Sequence, residues 1–246
     1  EPNHVSAHGI KVDAEGDVWL VDVSGHSVME FSRAGRLKIV IANPGRSAGN
    51  NDSKYAFNRP TGMAFKADGG FYVSDGYVNS RMVKFDMNGN FLMDWGSYGS
   101  DIGQFNLPHT MQADREGNIY VGDRSNRRIQ VFDSDGNFLR VLLMNVPYPA
   151  DYQPPYTAIN PNRRLPDAPQ PWSMCITDST PQEIWVSDNE PGRIYQMTLD
   201  GEIKGWLGSS GRGPGQFNWV HGLDCSQMDE GILWVADMNN WRGQKL

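Results

Sequence analysis

The chain has 246 residues, enough for one large domain or two small ones with a sizeable core. Its formal net charge of −7 lacks the basic footprint that nucleic-acid binding needs, and no run of about 18 apolar residues offers a membrane-spanning helix. With 27 Gly, 15 Pro and 8 Trp, the composition is turn-rich and aromatic, as expected of an all-β protein and not of a helical one.

The sequence opens at Glu1 without an initiator Met or a recognisable signal peptide, so the intact protein is expected to extend beyond this stretch. Residues 8–12 read as a first strand, Val18-Trp-Leu-Val-Asp22 as a second and 27–31 as a third. A polar stretch at 45–55 is expected to be a mobile loop. The order then repeats: 61–65, Phe71-Tyr-Val-Ser-Asp75, 81–85, a Gly-containing turn at 86–90, and 91–95. It repeats again with 109–113, Ile119-Tyr-Val-Gly-Asp123, 128–132, a turn at 133–137, and 138–143. An insert follows at 145–170, holding seven Pro, Tyr148, Tyr152, Tyr156, Arg163 and Arg164. Its composition suits an extended rim loop, either an inert excursion or a lid. The fourth unit runs through 172–176, Ile184-Trp-Val-Ser-Asp188 and 193–197. The Gly-rich stretch 208–215 lacks the Lys-Ser/Thr ending and following helix of a phosphate loop. The fifth unit, with 221–225 and Leu233-Trp-Val-Ala-Asp237, stops at Leu246 near the end of its third strand.

The five aspartates are 53, 48, 65 and 49 residues apart. Four short strands recurring as a sequence unit are propeller blades; the strands of a Greek-key sandwich do not recur this way. The fold expected is an all-β, six-bladed β-propeller forming a single domain over residues 1–246, with about five blades present. The missing strands would come from chain outside this sequence or from a partner.

Three of the five histidines, His8, His109 and His221, open the innermost strands of blades 1, 3 and 5. Thr61 and Trp172 hold the matching positions in blades 2 and 4. In a six-bladed ring, alternate blades lie 120° apart and inner strands face the axis. Three imidazoles would then converge on one point, forming an open site for Zn²⁺ or another divalent ion. The alternative is three polar groups lining a water-filled channel. His4, near the N-terminus, and His26, in a blade turn, read as surface residues.

Gly103-Gln-Phe-Asn-Leu-Pro108 and Gly215-Gln-Phe-Asn-Trp-Val220 are typical of NHL repeats, which nearly the whole chain resembles. With the three histidines in place, it looks like the peptidyl-α-hydroxyglycine α-amidating lyases. The resemblance rests on Ala7-His-Gly-Ile-Lys-Val-Asp13, Val73-Ser-Asp-Gly-Tyr-Val-Asn-Ser-Arg81, the run ending at His109, Asp123-Arg124, and Phe217-Asn-Trp-Val-His221. It implies zinc on His8, His109 and His221, with Tyr77 and Arg124 catalytic. The family's structural calcium is placed in doubt, because Gly222 stands where it has an aspartate; Asp224 lies two residues on. Its cysteine beside the catalytic tyrosine is Val78 here, and a further catalytic arginine would fall before Glu1. The activity implied is cleavage of a carbinolamide to an amide and glyoxylate, with a small peptide or N-acylglycine-derived substrate and a secreted or periplasmic location. A lactonase-like metallohydrolase and a non-catalytic NHL scaffold are the alternatives. Tyr77 packing on Trp95, and Arg124 pairing with Asp75 or Asp123, are the structural alternatives for those side chains. Cys175 and Cys225, on the inner strands of adjacent blades, are expected to be buried free thiols.

Overall fold

The computed structural model describes residues 6–43, 47–148, 169–188 and 191–246. His4 and most of the 145–170 insert lie outside the described residues, as does the start of the 45–55 stretch. The described residues are all-β apart from short 3-10 turns, and no helix among them is long and apolar enough to cross a membrane.

Blade 1 contains β1 (Ala7–Val12), β2 (Val18–Asp22), β3 (Ser27–Phe31) and β4 (Leu37–Ile41), and blade 2 contains β5 (Gly62–Phe65), β6 (Phe71–Asp75), β7 (Arg81–Phe85) and β8 (Phe91–Trp95). A short parallel pair, β9 (Ser97–Tyr98) and β10 (Gln104–Phe105), leads into blade 3. Blade 3 has β11 (Pro108–Ala113), β12 (Ile119–Asp123), β13 (Arg128–Phe132) and β14 (Phe138–Leu142). Blade 4 has β15 (Ser173–Ile176), β16 (Glu183–Ser187), β17 (Ile194–Thr198) and β18 (Ile203–Leu207). A second parallel pair, β19 (Ser209–Ser210) with β20 (Gln216–Phe217), occupies the Gly-rich 208–215 region. Blade 5 has β21 (Val220–Asp224), β22 (Trp234–Asp237) and β23 (Arg242–Lys245). Each blade is a meander in sequence order, the arrangement of a propeller.

The chain resolves into two compact units, residues 1–126 with 130–140, and residues 127–129 with 141–246. In the first, Trp19, Val21 and Val28 of blade 1 pack with Phe57, Phe71, Val73 and Phe85 around blade 2. Tyr72, Met82, Phe105, Met111, Val121 and Phe132 continue the core toward blade 3. In the second, Trp185, Ile194, Phe217, Val220 and Val235 form the core. Alternation along each strand supplies these contacts, because residues i and i+2 share a face.

The recurring aspartates are structural. Each is at most 1% exposed. Asp22, Asp75, Asp123, Asp188 and Asp237 accept the backbone N–H of Ser6, Asn58, Asn106, Gln170 and Asn218, at 2.7–3.1 Å. Each carboxylate thus clips the segment leading into its blade onto the end of the second strand. Burial pushes the Asp75 carboxyl up, while Asn79, the Asn58 amide and Arg81 hold it down. Arg81 also donates to the carbonyls of Asn51 and Ala56 at 2.8 and 2.9 Å, so the polar stretch expected to be mobile is tied to blade 2 there.

The expectation of two free thiols is corrected. Cys175 and Cys225 form a disulfide, with Cα atoms 6.0 Å apart. The inner strands of blades 4 and 5 bring their Cα atoms within the range a bridge can span.

Candidate active site

The inner strands of blades 1, 3 and 5 begin with the same irregularity. In β1, Ala7 pairs with Asp22 and Gly9 with Val21, leaving His8 between them. In β11, Pro108 pairs with Asp123 and Thr110 with Gly122, leaving His109. In β21, Val220 pairs with Asp237 and Gly222 with Ala236, leaving His221. Each histidine is therefore the extra residue of a β-bulge, a device that re-aims a side chain out of the strand's alternation.

The turn after the second strand closes onto the segment before the inner strand. Arg124 N–H donates to Leu107 O at 3.1 Å and Met238 N–H to Trp219 O at 3.1 Å. In blade 2, Tyr77 N–H donates to Arg59 O at 3.2 Å. Tyr77 and Arg124 thus hold equivalent backbone positions in neighbouring blades. Arg59, Leu107 and Trp219 all have left-handed backbones, with φ of 60°, 64° and 66°.

Within the first unit, the expected residues come together. The Tyr77 hydroxyl lies 2.9 Å from His8 Nε2 and 3.2 Å from His109 Nε2. The two imidazoles meet edge to face, with ring centroids 4.9 Å apart. His8 Nδ1 lies 2.6 Å from the Thr61 carbonyl oxygen. Since a carbonyl can only accept, Nδ1 carries the proton there and Nε2 is left with its lone pair, the tautomer of a metal ligand with outer-shell support. The Thr61 hydroxyl donates to the Pro108 carbonyl at 2.7 Å, fixing the residue that precedes His109. His109 is buried, and His8 and Tyr77 are half-buried.

Arg124 is half-buried beside the Tyr77 phenol. Burial draws its guanidinium below the usual value, and the phenol as partner pulls it back up. A second guanidinium, that of Arg59, stands 5.3 Å from the Tyr77 ring centroid; that of Arg124 is 6.0 Å away. Of the structural alternatives, Trp95 packs on Tyr72 and Phe132, while the Tyr77 ring meets His8 and His109. Asp75 takes Arg81 and Asn79 as its side-chain partners.

In the second unit, His221 is half-buried, with the Trp172 ring 5.9 Å away; Trp172 in turn lies 5.0 Å from Trp219. Asp224 is exposed and caps a turn by accepting the Ser226 amide at 2.8 Å. His26, expected on the surface, is half-buried, and its Nδ1 accepts the Arg59 amide at 3.0 Å.

Thr61 as a support and Arg59 beside the phenol are members of the site that residue type alone does not single out. Their signal is present in three aligned runs: Phe57-Asn-Arg-Pro-Thr61, Phe105-Asn-Leu-Pro-His109 and Phe217-Asn-Trp-Val-His221. The third position of each run is the left-handed residue.

One NHL repeat is matched at residues 105–132. The chain is 37% identical over 143 residues to peptidyl-glycine alpha-amidating monooxygenase A of Xenopus laevis, covering 55% of this chain and 15% of the relative. It is 33% identical over 144 residues to peptidyl-alpha-hydroxyglycine alpha-amidating lyase 1 of Drosophila melanogaster, covering 53% and 26%. It is 35% identical over 127 residues to human NHL repeat-containing protein 3, covering 49% and 36%. The matched part spans well under half the length of each. Among solved structures, a chain of a nidogen/laminin complex superposes with a TM-score of 0.66 at 17% identity, covering 98% of this chain and 76% of the other. At that identity the likeness is one of fold.

Proposed function

We propose that this NHL-repeat propeller is a metal-dependent lyase. It would cleave peptidyl-α-hydroxyglycine-like carbinolamides to a peptide amide and glyoxylate. The observation that carries the reading is the Tyr77 hydroxyl set between the Nε2 atoms of His8 and His109, with the Arg124 guanidinium beside the same ring. The relative named as a lyase supports it.

His8, His109 and His221 are the residues that would hold the metal, which we take as Zn²⁺ or another divalent ion. Their common bulge position and the Nδ1–H bond from His8 to Thr61 fit that role. A bound divalent ion would act as a Lewis acid, making the substrate hydroxyl more acidic. Tyr77 takes the hydroxyl proton as general base. As the C–O bond becomes a carbonyl, the C–N bond breaks with its electron pair moving to nitrogen. Tyr77 returns the proton to that nitrogen, so the products are the amide and glyoxylate and no co-reactant is consumed. Arg124 donates to the phenol oxygen and balances the charge that develops there. A secreted or periplasmic location is part of the proposal; the Cys175–Cys225 disulfide supports it, since such bridges persist in oxidising compartments.

The test is glyoxylate release from a synthetic α-hydroxyglycine peptide by metal-loaded protein. No glyoxylate sinks the lyase reading. A non-catalytic NHL scaffold is the second reading, favoured by the similarity to NHL repeat-containing protein 3. Metal bound without glyoxylate would point instead to a hydrolase.

A further inference from the structure

The repeat fixes the backbone of the segment leading into each inner strand and leaves one side chain free to vary. The Asn58, Asn106 and Asn218 amides are clipped to Asp75, Asp123 and Asp237, and the next residue is left-handed each time. That next residue is Arg59 in blade 2, Leu107 in blade 3 and Trp219 in blade 5. A β-substituted residue carries some strain at positive φ, so the slot is held by its surroundings and not by its side chain.

Arg59 is exposed, with its guanidinium over the Tyr77 ring. Among the described residues its side chain meets no carboxylate; the ring is its side-chain contact there, while its own backbone bonds to His26 and Tyr77. Arg124, by contrast, is half-buried, its guanidinium 6.0 Å from the same ring centroid. Two arginines therefore flank one phenol in different states, one half-buried and one exposed, its fork of N–H donors unmatched by any anion among the described residues.

We infer that Arg59 binds the carboxylate of the substrate and so selects an acid over its neutral analogue. The inference rests on the lyase reading above, in which the departing fragment carries a carboxylate. A guanidinium receives that group through two parallel N–H···O bonds, a geometry an ammonium does not reproduce. Standing over Tyr77, it would hold the carboxylate on the side from which the neighbouring hydroxyl gives up its proton. Arg59 is in this account a substrate-binding residue, and Arg124 the one that serves the phenol.

The experiment compares wild type with Arg59→Gln and Arg59→Lys on two α-hydroxyglycine peptides, one ending in a free carboxylate and one in a carboxamide, with the amide product measured for both. Arg59→Gln is expected to raise KM for the acid roughly 10- to 100-fold, the loss of a charge-assisted pair, with kcat changed by less than about 3-fold. KM for the carboxamide should be the same in all three proteins, and Arg59→Lys should recover part of the loss. An unchanged KM for the acid in Arg59→Gln overturns the inference, as does an equal rise for both peptides. Failure of the lyase reading is seen separately, as no amide product from wild type with either peptide. Calorimetry with hydroxyacetate then decides on Arg59. Binding to wild type that Arg59→Gln abolishes upholds the anion site, and equal binding or none overturns it.

Discussion

A β-carbon built on Gly76 would stand 1.9 Å from the carbonyl oxygen of Pro108. Gly76 is the one residue between the clipping aspartate and Tyr77, whereas Arg124 follows its own aspartate directly. Its missing side chain lets the Tyr77 turn settle against the backbone that carries His109. Gly76→Ala must push those two segments apart, since the obstacle is backbone and cannot rotate away. The expected result is destabilisation of about 1–3 kcal/mol by overpacking, with turnover lost alongside. Thermal unfolding and the glyoxylate assay read the two effects, and wild-type values in both would mean that the close approach relaxes without consequence.

Tyr77→Phe keeps the ring between the two imidazoles and removes the group proposed to move the proton. Turnover should fall by roughly 10²–10⁴, the range for losing general acid–base help. Metal content should stay at the wild-type value, because the hydroxyl is not a proposed ligand. Full activity in this variant would remove Tyr77 from the mechanism.

Elemental analysis of purified protein should find one divalent ion per chain, lowered in His8→Ala, His109→Ala and His221→Ala alike. Chelation should abolish glyoxylate release and Zn²⁺ should restore it. Wild-type metal content in all three variants would end the three-histidine proposal.

Arg81 is 1% exposed, bonded to Asp75 and Asp94 and to two carbonyls of the 47–57 stretch. Arg81→Ala removes the charge partner of the Asp75 carboxylate and frees that stretch. The expected cost is about 3–5 kcal/mol, as for breaking a buried pair from one side. Urea unfolding measures it, and a change under about 1 kcal/mol would put the pair with exposed ones.

Asn90 holds the Asp86 carboxyl below the usual carboxylate range through its side chain and its backbone amide, in the turn joining β7 to β8. The stabilisation is present above the ordinary carboxylate pKa and is lost as pH falls through the lowered one. NMR titration of Asp86 should show its midpoint below about 3.9, the ordinary Asp value, and Asn90→Ala should move it upward. An unmoved midpoint in the variant would show that the side-chain bond is immaterial.

The blades are legible because each carries its own copy of the same instruction. The strands ending at Asp22, Asp75 and Asp123 fall at the expected residues, since an alternating run closed by a clipping side chain has only one good register. Tyr77 and Arg124 can be placed near each other through their shared turn position. Thr61 and Arg59 are harder to recognise. Thr61 contributes its carbonyl to His8, and backbone groups leave no mark in residue type. Arg59 resembles any surface arginine until the left-handed slot is seen in all three runs. The Cys175–Cys225 bridge depends on strand spacing across two blades, which no local pattern encodes.

The bulges at His8, His109 and His221 separate two kinds of information in this chain. On either side of each arch the ladder is pinned, as by Ala7 to Asp22 and Gly9 to Val21, so the blade's alternation resumes whatever residue spans the gap. The spanning side chain is set apart from the strand's alternation, and its neighbours are read by the core. Exchanging the residue there would change the side chain the blade presents and leave the grammar of the blade intact. One scaffold could in this way trade an imidazole for a hydroxyl or an indole, one blade at a time.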